Sequence, residues 1–294
     1  LILISAEAYA TLAWEENGNG PNTDKAEEMI NKAIEIDSDS AEAYRLLGYL
    51  YEAKYEPLKA IENYDKALAI EPDNINALVG KGHVYRLMGD PMQALESLRK
   101  AKELDRNTEY LSIYSNLCSM LSNNDEYVSE AFENCMIIIN MSDETIATEK
   151  ADAYNALGTM HIRSANVEEA IDNFEKALSY RPNNANTYVY LSRANNIRKH
   201  FVDAERNARE ALELEPQKST AYAELSYSLF GQGEHIEAEE AGLKALEYID
   251  EDPTLLPSAV PPLKKDIYFT LANIYNAIGD NSNEQRYADM AESI

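Results

Sequence analysis

The sequence predicts an all-α fold made of repeated helix pairs, and three observations carry that prediction. Pro57 and Pro91 lie 34 residues apart, as do Pro182 and Pro216. Alanine keeps the same interval in Ala26, Ala60 and Ala94, in Ala170, Ala204 and Ala238, and in a second series seven residues behind (Ala33, Ala67, Ala101; Ala177, Ala211, Ala245). Within each period the apolar and small residues keep helical rather than alternating spacing. Agreement among independent residue types establishes a repeat, and a repeat dictates units that bury their faces against neighbours.

The segment 41–74 shows how one period works. Tyr44, Leu47, Gly48 and Tyr51 stand at positions 4, 7, 8 and 11, on one face of a first helix. Ala60, Tyr64 and Ala67, at positions 20, 24 and 27, mark a second helix, which Pro72 at position 32 ends. Position 8 stays small in Gly48, Gly82, Gly158, Ser192, Ser226 and Ala272, so two helix axes approach closely there. Pro57 and Pro91 fall in the first turn of the second helix, where a missing N–H costs least.

Two places break the period. Ala94 to Ala131 is 37 residues and Ala131 to Ala170 is 39, so one unit carries eight extra residues. Three extend a loop at Ser122-Asn123-Asn124; five are expected to lengthen the next helix backward, with Ser142 as N-cap and Asp143 and Glu144 in its first turn. The stretch 250–265 holds Pro253, Pro257, Pro261 and Pro262 and is expected to be an extended loop, either a partner-binding arm or a tolerated insertion.

These residue types at these positions resemble the tetratricopeptide repeat, and the resemblance covers nearly the whole chain. It implies an all-α, right-handed superhelical solenoid of about eight helix–turn–helix repeats. The units expected are 6–40, 41–74, 75–108, 109–150, 151–184, 185–218, 219–264 and 265–294, forming a single solenoid over 1–294. Arg106 stands where proline is usual and Glu284 where alanine is usual; both departures lie near caps.

Composition narrows the function. The 294 residues carry 52 Asp and Glu against 26 Lys and Arg, a formal charge of −26. Binding to nucleic acid or an anionic membrane through bulk charge needs the opposite sign, so neither is expected. A hydrophobic fraction of 45% excludes disorder, and no run approaches the ~18 apolar residues of a membrane span. No Walker loop, His-Glu-x-x-His, Gly-x-Ser-x-Gly or Cys-x-x-Cys occurs, and the histidines His83, His161, His200 and His235 are scattered. No catalytic residue, metal ligand or cofactor site is therefore expected, and Gly18-Asn19-Gly20-Pro21 reads as a turn. Cys118 and Cys135 read as buried, unpaired thiols. The apolar start Leu1-Ile2-Leu3-Ile4 is the first turn of a helix in a cytoplasmic protein, or else the end of a signal peptide or anchor in an exported or membrane-tethered one.

The resemblance implies that first helices line a concave groove through positions 2, 5, 9 and 12, which spacing alone makes one helical stripe. That stripe carries four acids (Glu42, Glu52, Asp152, Asp266) against three arginines, leaving −1 of the total charge. It also carries six asparagines and five aromatics, a set suited to the backbone of an extended peptide and to rigid anchors. The expected partner-binding residues are Arg45, Tyr49, His83, Arg86, Asn155, Arg193, Asn196, Tyr227, Phe230 and Asn273, with Arg193, Asn196, Tyr227 and Phe230 at the centre. The Lys and Asn pair by which related co-chaperones clamp acidic chaperone tails is absent from every unit.

The reading that follows is a non-catalytic scaffold for a protein or peptide partner. Two alternatives remain: an acidic escort for a basic client, and a regulatory domain of a longer protein. The last helix ends with Tyr287, Met290 and Ile294 at helical spacing and no polar helix after them, so either a longer native chain or end-to-end contact between copies is expected.

Overall fold

A computed structural model describes residues 2–16, 18–142, 144–252, 255 and 259–294. The described residues form sixteen α-helices and two 3₁₀ turns, with no strand. They fall into two compact units, Leu1–Met120 and Leu121–Ile294.

The first unit holds the hairpins α1 (Ile2–Glu15)/α2 (Pro21–Ile36), α3 (Ala41–Ala53)/α4 (Pro57–Ile70) and α5 (Ile75–Leu87)/α6 (Pro91–Leu104), and then α7 (Leu111–Leu121), which runs up to the division. The second unit follows with α8 (Val128–Asn140), α9 (Ala147–Arg163), α10 (Val167–Tyr180), α11 (Ala185–Ile197), α12 (Phe201–Leu214), α13 (Ser219–Gln232), α14 (His235–Tyr248), α15 (Val260–Ile278) and α16 (Asn281–Glu292). First helices also pack on first helices: α1 on α3 and α3 on α5 in one unit, α9 on α11, α11 on α13 and α13 on α15 in the other.

Each boundary has a local cause. Ser40, Asn74 and Asn184 cap first helices by accepting from backbone N–H groups three residues on (Ala43, Ala77, Thr187). Pro21, Pro57 and Pro91 open second helices, where no N–H is needed. The turn between paired helices repeats one device: a left-handed residue, followed by an N–H that bonds five residues back. Tyr55, Gly89, Ala165, Lys199, Gly233 and Gly279 supply the positive φ, and Glu56, Asp90, Asn166, His200, Glu234 and Asp280 supply the bond, at 2.8–3.0 Å.

Packing explains the small residue at position 8. A Cβ on Gly48 would meet the ring of buried Tyr64 at 2.8 Å, and one on Gly158 would meet Phe174 at 2.3 Å. Where serine replaces glycine, its hydroxyl finds a carbonyl of the partner helix: Ser192 Oγ donates to Ala204 O at 2.8 Å and Ser226 Oγ to Ala238 O at 2.7 Å. The tyrosines at position 4 lie under lysines of the second helix, Lys66 over Tyr44, Lys176 over Tyr154 and Lys244 over Tyr222, with 5.7–5.8 Å to the ring centroid.

Four expectations need correction. The extra residues before α9 do not extend it back to Ser142: a 3₁₀ turn at Glu144–Ile146 precedes it and Ile146 is its cap, while Asp143 lies outside the described residues. The proline-rich stretch is shorter as a loop than expected, because α15 begins at Val260 and takes Pro261 and Pro262 into its first turn, where the missing N–H groups would have had no acceptor; Pro253 and Pro257 lie outside the described residues. Neither cysteine is a free thiol: Cys118 and Cys135 are disulfide-bonded. Tyr287 is not left open at the chain's last helix. It is buried, stacked on Tyr275 at 5.5 Å and tilted against Tyr268, while Ile294 stays 47% exposed.

Candidate functional site

The expected binding residues lie on first helices, and the structure sorts them into those already engaged and those presented. In the first unit Arg45 is engaged. Its guanidinium bonds Glu42, one turn back on α3, at 2.6 and 2.8 Å, and Glu7 of α1 at 3.0 Å. Those hydrogen bonds and charges outweigh burial and hold its pKa above the usual arginine range. Tyr49 is half-buried with its ring 5.5 Å from Trp14.

Beside them lies a buried carboxylate. Glu52, at the end of α3, accepts from Tyr64 Oη at 2.9 Å through one oxygen and pairs with His83 Nδ1 of α5 through the other. Burial, followed by the charge of Glu52, pushes the Tyr64 hydroxyl well above its ordinary pKa, so it donates throughout the physiological range. Arg86, one turn beyond His83, is half-buried; its Nε is sealed from solvent and has no hydrogen-bond acceptor among the described residues.

In the second unit the cluster is centred on a residue outside the expected stripe. Glu224 of α13, largely buried, accepts from Arg193 Nε at 2.8 Å and from Asn196 Nδ2 at 2.9 Å, while its own carbonyl takes a second bond from that amide at 3.1 Å. The charge of Glu224 holds the Arg193 pKa up against burial, with Asp266 adding to it. Arg193 is thus a tethered cation rather than a free one, and Asn196 is only 4% exposed. Asn155 is buried, and its amide donates to and accepts from Thr187 Oγ1, at 2.9 and 3.1 Å, which ties α9 to α11. Phe230 is half-buried against the α13–α16 core and contacts the His235 ring.

Of the expected residues, Tyr227 (47% exposed) and Asn273 are still presented, and Phe269 (44% exposed), an aromatic of the same stripe outside the expected set, joins them. Tyr227 and Phe269 come from adjacent first helices, α13 and α15, with the Arg193–Glu224 pair on the α11 side. Two tethered charges beside two rings can anchor a side chain and orient a backbone without any chemistry on bonds.

Sequence reading found the stripe but missed Glu224, at position 6 of its period. A signal existed. Glu52 to His83 and Arg193 to Glu224 are both steps of 31 residues, and scanning that interval for a carboxylate facing a nitrogen-bearing side chain finds both pairs.

Hairpins of this period around such a seam define a helical-repeat scaffold. Models of the tetratricopeptide repeat match residues 41–74, 63–96, 151–184 and 198–255, and the chain belongs to that family. Among solved structures, a tetratricopeptide repeat protein from Parabacteroides merdae is 20% identical, with 86% of this chain and 92% of that one covered and a TM-score of 0.63. YrrB, described as a TPR protein with an unusual peptide-binding site, is 20% identical over 65% and 95% of the chains at a TM-score of 0.51. Human IFIT1, solved with PPP-AAAA, is 18% identical over 92% and 66% at 0.62. At these identities the likeness is one of fold. No curated protein matches the chain.

Proposed function

We propose that the protein is a non-catalytic interaction scaffold whose first helices take an extended peptide segment. The observation that carries this reading is the pair of exposed rings, Tyr227 and Phe269, set on adjacent first helices beside the tethered Arg193–Glu224 pair. Large exposed aromatics next to oriented polar groups supply anchors at small entropic cost. YrrB, with its unusual peptide-binding site, offers a precedent for a peptide ligand, and IFIT1, solved with PPP-AAAA, one for a polyphosphate ligand. The charge of −26 separates them: a polyphosphate chain meets net repulsion here, a peptide need not.

The test is selection of peptides from a displayed library on the intact protein. Tyr227→Ala is expected to weaken selected peptides by ~1–2 kcal/mol, whereas Glu168→Ala, on α10, leaves them unchanged. If Tyr227→Ala binds normally and neutralising outer acids abolishes binding, the protein is an escort for a basic client instead.

No helix among the described residues is long and apolar enough to cross a membrane. Persistent disulfides belong to oxidising compartments, so the bonded state of Cys118 and Cys135 supports export over the cytoplasm. Protein recovered from its native source and alkylated before lysis should show no modified cysteine; alkylation of both would return it to a reducing compartment.

A further inference from the structure

Asparagine is abundant in this chain, yet only one stands two residues before a serine or threonine: Asn140, in Asn140-Met141-Ser142. That triplet is the acceptor for N-linked sugar in secreted proteins, where it belongs on the surface. The structure sets it where sugar transfer needs it. Asn140 closes α8 and is exposed, Met141 is its extended C-cap, and Ser142 is exposed beyond the helix. Neither the Asn140 amide nor the Ser142 hydroxyl has a hydrogen-bond partner among the described residues, so the nitrogen is uncommitted. Asn116, two residues before Cys118, shows the contrast. Its amide donates to Ser112 O at 2.8 Å, and Cys118 is buried and disulfide-bonded. The backbone of the Asn140 triplet is held without its two polar side chains being used: buried Lys150 of α9 donates from Nζ to Met141 O at 2.6 Å.

A second observation comes from α8 itself. One face is buried through Ala131, Asn134, Cys135 and Ile138. On another, Val128, Phe132 and Met136 follow at four-residue intervals, and Asn140 is the next step of the row. Val128 and Phe132 are exposed, the phenyl-bearing residue by half, and Met136 is half-buried. Phe132 stands about 12 Å along the helix from Asn140, within reach of an oligosaccharide anchored there. The C–H faces of sugar rings are apolar and pack on such side chains.

We infer that Asn140 is an N-glycosylation site whose sugar folds back over the Val128–Phe132–Met136 face of α8. The inference rests on the reading of the protein as exported, and it lies wholly within the second unit. The donor is an oligosaccharide joined through phosphate to a polyprenol lipid. Asn140 Nδ2 attacks the anomeric carbon, and the new C–N bond forms as the bond from that carbon to the phosphate oxygen breaks. The lipid phosphate leaves with the electron pair, and the nitrogen gives up one proton to a base of the transferase. The product is a neutral substituted amide, so the charge of the protein is unchanged.

The experiment takes the whole protein from its native source and reads the peptide that contains Asn140 by mass spectrometry. The expected result is added sugar mass on Asn140, lost in Ser142→Ala and kept in Ser142→Thr when both variants are made in the same host. An unmodified Asn140, or sugar that persists in Ser142→Ala, overturns the site. The alkylation test separates that failure from failure of the export reading. Unmodified Asn140 with both cysteines still bonded removes the glycan alone; unmodified Asn140 with both cysteines alkylated removes the two together. Ser142→Ala, lacking the sugar, should also melt at a lower temperature than the native protein, whereas in a Phe132→Ser background it should change nothing. An unchanged midpoint in the native background, or an equal fall in both, overturns the covering of α8.

Discussion

Single residues set the tolerances of this fold, and position 8 of the period shows how tightly. The Cβ that Gly158 lacks would sit 2.3 Å from the ring of Phe174, itself buried, so neither partner has room to move. Gly158→Leu is expected to destabilise by ~1–3 kcal/mol through overpacking, read as a lower urea midpoint at unchanged slope. An unaltered midpoint would contradict the close approach. Asp280 offers a second case, with a sign that can be worked out. It caps α16 by accepting from the Asn283 backbone N–H at 3.1 Å and its Nδ2 at 2.8 Å, and those bonds hold its carboxyl below the ordinary 3.8. A folded pKa below the unfolded one means stability that is present above the unfolded value and lost as pH falls through the folded one. Asp280→Asn should therefore lose less stability than the native protein between about pH 5 and pH 2; identical acid slopes would show the cap to be without effect. At this scale the sequence was only partly legible. Asn155 and Arg193 stand on the right helical stripe, but whether each is free depends on Thr187 and Glu224, 32 and 31 residues away. Periodicity reports which way a side chain faces. It does not report what already holds it.

At the level of the element, the helix pairs were legible because their boundaries are written in residues with one physical meaning. Proline in a first turn and Ser or Asn before a first helix mark starts wherever they occur here. The same logic misled at α15, where four prolines in one stretch suggested a loop although two of them fit a helix's first turn. The inter-helix turn carries the most economical test of element design. Its left-handed residue is glycine at Gly89, Gly233 and Gly279 but Lys199 at φ 61° and Tyr55 at φ 56° elsewhere. A side chain there costs on the order of 1 kcal/mol, and glycine's greater freedom in the unfolded chain returns part of any gain. Lys199→Gly should thus stabilise by a few tenths to ~1 kcal/mol in chemical denaturation. Destabilisation would mean that Lys199 makes a contact worth more than its backbone strain.

The whole molecule is governed by its charge, and here local and global electrostatics pull in opposite directions. Among the described residues sixty hydrophobic side chains lie in the core of two compact units, while 52 acids meet 26 bases over the chain. Many of the bases are engaged in ion pairs such as Lys66–Glu62, Lys244–Glu240 and Arg209–Glu205, one turn apart on second helices. Exposed pairs of that kind contribute ~0–1 kcal/mol each, and salt screens them. Against them stands the mutual repulsion of the surplus acids, which is spread over the surface and also shrinks as the Debye length falls from about 20 Å to about 4 Å between low and 0.5 M salt. The surplus is as large as the whole basic complement, and many of the bases already lean on an acid, so repulsion is the larger effect. Sodium chloride at 0.5 M should accordingly raise the thermal midpoint above that at 20 mM, followed by circular dichroism at 222 nm. A midpoint that falls would show that ion pairs outweigh net charge. The same titration bears on the ligand: a peptide held by Tyr227 and Phe269 keeps most of its affinity in that salt range, whereas a basic client drawn to the acidic surface loses it steeply.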